Sequence, residues 1–143
     1  MKILTNDTKI KIKKLFDEKK YSKLETFLEN LKNLNHLPTS IQMIYAVSKA
    51  LNPKSNIQDY RKSAFFFEKI FLSDQTNLEP LYNLIIVSLK ANMHYRLNNL
   101  LEEVYKKHET DLKILEGLSK ANFFLGNMVK ATSYYEKLSN LTP

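Results

Sequence analysis

Cysteine and tryptophan are absent from this 143-residue sequence, glycine occurs twice, proline four times, and arginine only as Arg61 and Arg96. Each scarcity excludes something. Without cysteine there is neither a disulfide framework nor a thiolate metal site, which points to a cytoplasmic rather than a secreted setting. With so little glycine and proline, an all-β chain would lack the residues of its tight turns, so helix is favoured before any periodicity is considered. The shortage of arginine removes the side chain best suited to gripping phosphate in a bidentate fork. The net charge of +7 is therefore carried almost entirely by lysine. A preference for Lys, Asn and Ile over Arg, Ala and Gly is also what an AT-rich genome writes, so part of this basicity reflects composition rather than an acidic ligand. Long apolar runs are missing too. The most apolar stretch, residues 81–89, is interrupted by Tyr82, Asn83 and Ser88 and falls well short of a membrane span. Only Ile3 and Leu4 precede the first polar residues, too few for the apolar core of a secretion signal.

Apolar residues recur instead with a helical period, and breaks divide the chain into eight predicted helices. The first runs from a cap at Asp7 or Thr8 to about Lys19, with Ile12, Leu15 and Phe16 on one face. The second spans residues 21–34 and repeats Leu24, Phe27, Leu28 and Leu31 along one stripe. Pro38 marks a break, and Thr39 or Ser40 is the expected cap of a third helix that ends at Asn52-Pro53. An extra loop, 53–58, precedes a fourth helix that starts near 57–59 and continues to Leu72. Asn77, Glu79 and Pro80 open the fifth, and Asn92 is its left-handed stop. The sixth covers 93–108. Thr110 or Asp111 caps the seventh, and Gly126-Asn127 separates it from the eighth, which ends before Pro143. Linkers this short make successive helices antiparallel.

The hairpins recur at a fixed spacing. The segments 59–71 (DYRKSAFFFEKIF), 93–105 (MHYRLNNLLEEVY) and 127–139 (NMVKATSYYEKLS) start at equal intervals along the chain, the interval expected of stacked helical pairs. In that register Ser63, Leu97 and Ala131 coincide, as do Phe67, Leu101 and Tyr135, and Ile70, Val104 and Leu138. A small or apolar residue, a large one and another apolar one at these spacings form a ladder for packing helix on helix.

At this point the sequence resembles the tetratricopeptide repeat family. The segment from Leu115, LEGLSKANFFLGNMVKATSYYEKLSNLTP, carries Leu118 and Ala121 in its first helix, Gly126-Asn127 at the turn, Ala131, Tyr134 and Tyr135 in its second helix, and Pro143 at the close. It departs from the family pattern at Ser119 and Asn122, where the family prefers glycine and an aromatic residue, and in the third unit Asn92 replaces the turn glycine. The resemblance is good from about Asp59 to the last residue and weaker before that. It implies an all-α, right-handed superhelical solenoid of about four antiparallel hairpins in one domain, with units near 5–38, 39–77, 78–111 and 112–143.

The same resemblance implies a protein–protein interaction scaffold whose inner curve is lined by the first helix of each pair. That places Lys9, Lys13, Phe16, Gln42, Lys49, Tyr82, Ile86, Lys90, Lys120 and Phe123 in a basic groove with aromatic interruptions, suited to a peptide or protein segment carrying acidic residues. The lysine, asparagine and arginine clamp by which some relatives hold a chaperone's C-terminal carboxylate is not matched, since Met43, Glu79 and Asn83 stand at its positions. Pro143 is where a repeat of this family hands over to the next, and Phe123, Phe124, Tyr134 and Leu138 are expected on an exposed end face. Self-association through the C-terminal hairpin, a further repeat, or a downstream domain would cover it. Bacterial proteins of this kind often join such repeats to a C-terminal sulfotransferase or glycosyltransferase, which makes a substrate-presenting or targeting region the alternative reading.

A third reading starts from the N-terminus, where residues 1–23 hold eight lysines against Asp7, Asp17 and Glu18. A lysine-rich amphipathic helix suits acidic polymers or an acidic lipid surface, although no motif for sequence-specific nucleic-acid recognition accompanies it. Nothing suggests catalysis, a metal or a cofactor. His36, His94 and His108 lie on separate segments without ligand spacing, no glycine-rich phosphate loop is present, and Asp17-Glu18 and Glu102-Glu103 point apart along their helices.

Overall fold

Thr5 begins the first helix in the computed structural model, which describes residues 4–31 and 33–143. Its backbone is extended, and its hydroxyl oxygen accepts the amide hydrogen of Thr8, so α1 is Asn6–Asp17 and Asp7 falls in the first turn rather than at the cap.

The predicted end of α1 at Lys19 is corrected in an informative way. Lys19 is left-handed (φ 57°), and the amides of Lys19 and Lys20 close back on the carbonyls of Phe16 and Leu15. The same pair of closing bonds recurs at Asn92 (φ 58°) after α5 and at Gly126 (φ 80°) after α7. Three of the four hairpin turns thus use one device, and Asn92 and Gly126 hold equivalent places in successive repeats.

The second helix is shorter than its apolar stripe suggests. α2 is Tyr21–Glu29, and after it the left-handed Asn33 (φ 62°) introduces a single 3-10 turn, Leu34–His36. The predicted reach to residue 34 crosses Lys32, which is not among the described residues. Pro38 itself stands at the cap position of α3 (Thr39–Leu51), ahead of the expected Thr39 or Ser40. No side chain caps this helix, and the Gln42 side-chain amide instead donates to the carbonyls of Asn35 and Leu37, tying α3 to the turn before it.

The next helix begins at the early end of the expected range, 57–59. Asn56 and Asp59 form a reciprocal capping box, each side chain accepting the other's backbone N–H, and this draws Ile57 and Gln58 into α4 (Ile57–Ser73). Asn77 accepts from the Glu79 amide ahead of α5 (Glu79–Lys90), and Pro80 occupies the first turn, where its missing N–H costs nothing. α6 (His94–Tyr105) stops short of the predicted end, and the chain to His108 continues as turns. Asp111 caps α7 (Leu112–Phe124) by accepting from the Ile114 amide, and α8 is Met128–Leu141.

Eight α-helices and no strand occur among the described residues, and each helix packs on its neighbours in sequence. The result is the all-α array of helical hairpins that the spacing predicts. Its core runs the length of the stack through Leu24, Leu28, Tyr45, Phe66, Phe67, Leu81, Leu101, Ile114 and Leu118, all essentially inaccessible. The ladder is visible in it. Ser63, Leu97 and Ala131 are all buried, Ser63 donating its hydroxyl to the Ala46 carbonyl. At the next rung Phe67 and Leu101 are sealed, whereas Tyr135 is 61% exposed.

Candidate functional site: a groove along α7 and α8

The ten residues placed in a groove from sequence do not share one surface. Lys9 and Lys13 are exposed on α1, where Lys13 is already paired with Asp17 one turn on. Phe16 is half-buried edge-on to Tyr21. Tyr82 is half-buried as well, its hydroxyl donating to Asp111 and its ring lying 4.6 Å beneath the Lys113 ammonium. Burial and the Asp111 carboxylate push the Tyr82 phenol up to about 12. It is a strut between α5 and the start of α7.

Gln42 and Lys49 are withdrawn from the surface altogether. Gln42 holds the carbonyls before α3, and Lys49, 4% exposed, sits inside a polar cluster that joins three helices. Its ammonium lies 2.7 Å from Glu25 on α2 and 3.2 Å from Asp59 on α4, with Glu29 at 3.5 Å. Asn52 donates to the second Glu25 oxygen, and the Tyr45 hydroxyl donates to Glu29. Burial alone would lower the Lys49 pKa, but hydrogen bonds and charge from Glu25 and Asp59 outweigh it and the ammonium is held above its ordinary range. Asp59 is pulled below the usual carboxylate range by the Asn56 backbone N–H and by Lys49. Burial first, then the Glu29 carboxylate, drives the Tyr45 phenol far up. Every charge in this cluster is engaged by another member, so it serves the junction between the first and second hairpins and offers nothing to a ligand.

Lys90, Lys120 and Phe123 do come together. They line an open groove of about 910 Å³ between the C-terminal half of α5, the outward face of α7 and one side of α8. The floor is apolar: Phe123, Phe124, Met128 and Tyr135 are all more than half exposed, with Leu89 and Leu138 deeper. Its polar rim consists of Lys90, whose ammonium lies 5.3 Å over the Tyr60 ring, and Lys120, paired at 2.7 Å with Glu116. Ile86, on the same helix as Lys90, is also exposed but lies outside the groove's lining.

Sequence reasoning misses Met128 and Thr132 and reads Tyr135 only as a packing residue. A signal for Tyr135 exists in the repeat register, which makes it the counterpart of Leu101 with nothing in α8's own hairpin to cover it. Of the four residues expected on an end face, Phe123 and Phe124 are exposed. Tyr134 instead packs edge-on to Tyr105 at 5.6 Å, and Leu138 is half-buried.

Among the described residues no group of three or more His, Cys, Asp or Glu side chains is arranged to hold a metal ion, and no helix is long and apolar enough to cross a membrane. Of the three histidines, His94 stacks on Phe124 at 4.8 Å with its Nδ1 buried and unpartnered. The groove combines a broad apolar floor with a rim made of Lys90 and the Lys120–Glu116 pair. Comparison with protein-family models finds no match, and neither curated proteins nor solved structures show a significant similarity.

Proposed function

We propose that this protein is an interaction scaffold of the tetratricopeptide-repeat kind that binds a segment of a partner protein. The observation that carries the reading is the apolar floor along α7 and α8. Tyr135 and Met128, exposed by 61% and 52%, lie beside Phe123 and Phe124 along one groove, and this gathering of large exposed apolar side chains is what supports an interaction site. The groove is displaced from the basic inner curve that the family pattern implies, and only Lys90, Lys120 and Phe123 belong to both.

The competing reading is a basic helix for acidic polymers, and some of the N-terminal lysines are already engaged. Lys13 is paired with Asp17, Lys20 with Glu18, and the Lys11 ammonium lies 4.5 Å over the Phe27 ring. Such pairs are weak in water and take up only Lys13 and Lys20, so the eight lysines of residues 1–23, against three acids, keep an excess of positive charge.

Pull-down from a nuclease-treated lysate of the source cell tests the proposal, comparing the wild type with a Phe123→Lys, Tyr135→Lys double variant. Both substitutions fall on exposed side chains, so the variant keeps its helical circular-dichroism spectrum. Discrete proteins retained in high salt by the wild type and lost by the variant are the expected result. Equal retention by both, or retention of salt-sensitive nucleic acid or lipid alone, overturns it.

A further inference from the structure

The groove has a filled counterpart inside the molecule, one repeat unit earlier. Shifting its lining back by one repeat turns Ser119, Ala131, Thr132, Tyr135 and Leu138 into Ile85, Leu97, Asn98, Leu101 and Val104. Those five are buried, and what buries them is α7. The fit there is close. A Cβ placed on Gly117 would lie 2.9 Å from Leu101 Cδ1 and 3.1 Å from Ile85 Cγ2, so α7 presents a bare backbone at the point of tightest approach. Ile114, Leu118 and Ala121, fully buried, flank that point at helical spacing, and Asn122 donates to Asn98 at 2.8 Å. The surface formed by α5 and α6 therefore accepts one kind of object, an amphipathic helix with a small residue at its centre.

Resting on the interaction-scaffold reading, we infer that the groove along α7 and α8 takes a single amphipathic helix of a partner protein, seated as α7 is seated on α5 and α6, with acidic residues on its flank. Repetition of the backbone gives the shape. The floor repeats the apolar character of its counterpart, with Ala131 and Leu138 in place of Leu97 and Val104 and Tyr135 in place of Leu101. The rim gives the charge. Lys120 stands where the earlier unit has Ile86 and is paired with Glu116, which also lines the groove, while Lys90 has no carboxylate partner among the described residues, so the rim offers one uncompensated cation. A helix with acidic flanks gains from that rim, whereas a second copy of this chain, at +7, is repelled by it. A helix also satisfies its own backbone hydrogen bonds, which suits a floor of side chains with no free strand edge to pair an extended peptide.

The test uses the whole protein and a synthetic peptide copying residues 111–125 of α7, with Lys113→Glu and Lys120→Glu to supply the acidic flank. Fluorescence anisotropy of the labelled peptide reads binding, and circular dichroism reads its helicity. Saturable binding with a gain of helix is expected, weakened at least tenfold by Tyr135→Lys or Met128→Lys in the protein. Ile10→Lys, on the exposed face of α1, is expected to leave it unchanged. In the peptide, Leu118→Glu removes an anchor and Ser119→Pro breaks the helix, and each is expected to abolish binding.

Binding that survives Ser119→Pro means an extended occupant and overturns the inference. So does concentration-dependent dimerisation in sedimentation velocity that Tyr135→Lys abolishes, since the groove then belongs to a second copy. Co-sedimentation with phosphatidylglycerol vesicles that the peptide does not displace assigns the floor to lipid and overturns it too. Absence of peptide binding, with capture of discrete lysate proteins still lost in the Phe123→Lys, Tyr135→Lys variant, defeats the helical occupant but spares the scaffold. Loss of both defeats the scaffold as well.

Discussion

Lys49 shows how far position in a repeat can mislead about a side chain. Its place in the pattern turns it toward the expected groove, yet the ammonium folds inward to Glu25, which lies 24 residues earlier on another helix. Apolar periodicity carries no information about which acid will meet which base across two helices. Gln42 escapes for a related reason, because its role depends on the turn before α3 bringing the Asn35 and Leu37 carbonyls within reach of its side chain. Removing one partner of a buried ion pair leaves the other charged and unpaired, so Lys49→Met is expected to cost about 3–5 kcal/mol in urea unfolding. Lys9→Met, at an exposed position, is expected to change stability by no more than about 0.5 kcal/mol. Equal effects of the two would place Lys49 outside the cluster. The cluster also fixes a pH dependence. Asp59 is held below its ordinary 3.8 in the folded protein, so its contribution is complete above that value and is lost as the pH falls through the depressed one. Lys49 is held above its ordinary 10.5, so its contribution is complete below that value and disappears as the pH rises through the raised one. The urea midpoint of Asp59→Asn is expected to fall less steeply with acid than that of the wild type.

The helices themselves are largely legible in the sequence, because eight apolar stripes separated by Pro38, Pro53, Asn92 and Gly126 leave little choice of element. Their ends are less so. Lys19 is an improbable left-handed residue by type, and it becomes one because Tyr21 must start α2 directly after α1 closes on Leu15 and Phe16. Asn92 and Gly126 are recognisable, asparagine and glycine being the residues that tolerate this conformation. The three stops differ in what they cost. At Gly126 an added Cβ meets no atom within 4 Å, so Gly126→Ala incurs backbone strain alone, about 1–2 kcal/mol. Lys19→Gly relieves the same strain and is expected to stabilise by up to about 1 kcal/mol, read as a higher urea midpoint. A lower midpoint for Lys19→Gly would mean that the turn is not left-handed in solution. Gly117 is the opposite case, a glycine kept for space rather than for φ, and Gly117→Val is expected to cost about 1–3 kcal/mol by forcing Leu101 and Ile85 aside.

At the scale of the whole molecule, the repeat both organises the core and exposes the groove. Leu101 and Tyr135 stand at equivalent places, one sealed by α7 and the other open, so their energetics are expected to diverge. Leu101→Ala removes a fully buried side chain and is expected to cost about 2–5 kcal/mol, whereas Tyr135→Lys is expected to stay within about 0.5 kcal/mol of the wild type. If Tyr135→Lys proved as damaging as Leu101→Ala, the face of α8 would already be covered in the isolated protein. The constant spacing of the hairpins makes the array readable from sequence, but the location of the binding surface is not, because an inner curve and an open end of the stack draw on different faces of the same helices. The most direct test of the account is hydrogen–deuterium exchange of the protein with and without the acidic peptide copied from α7. It predicts slowed exchange confined to α7, α8 and the end of α5 around Leu89 and Lys90, with α1 and α2 unchanged. Slowed exchange in α1 instead, or none along α8, would contradict it.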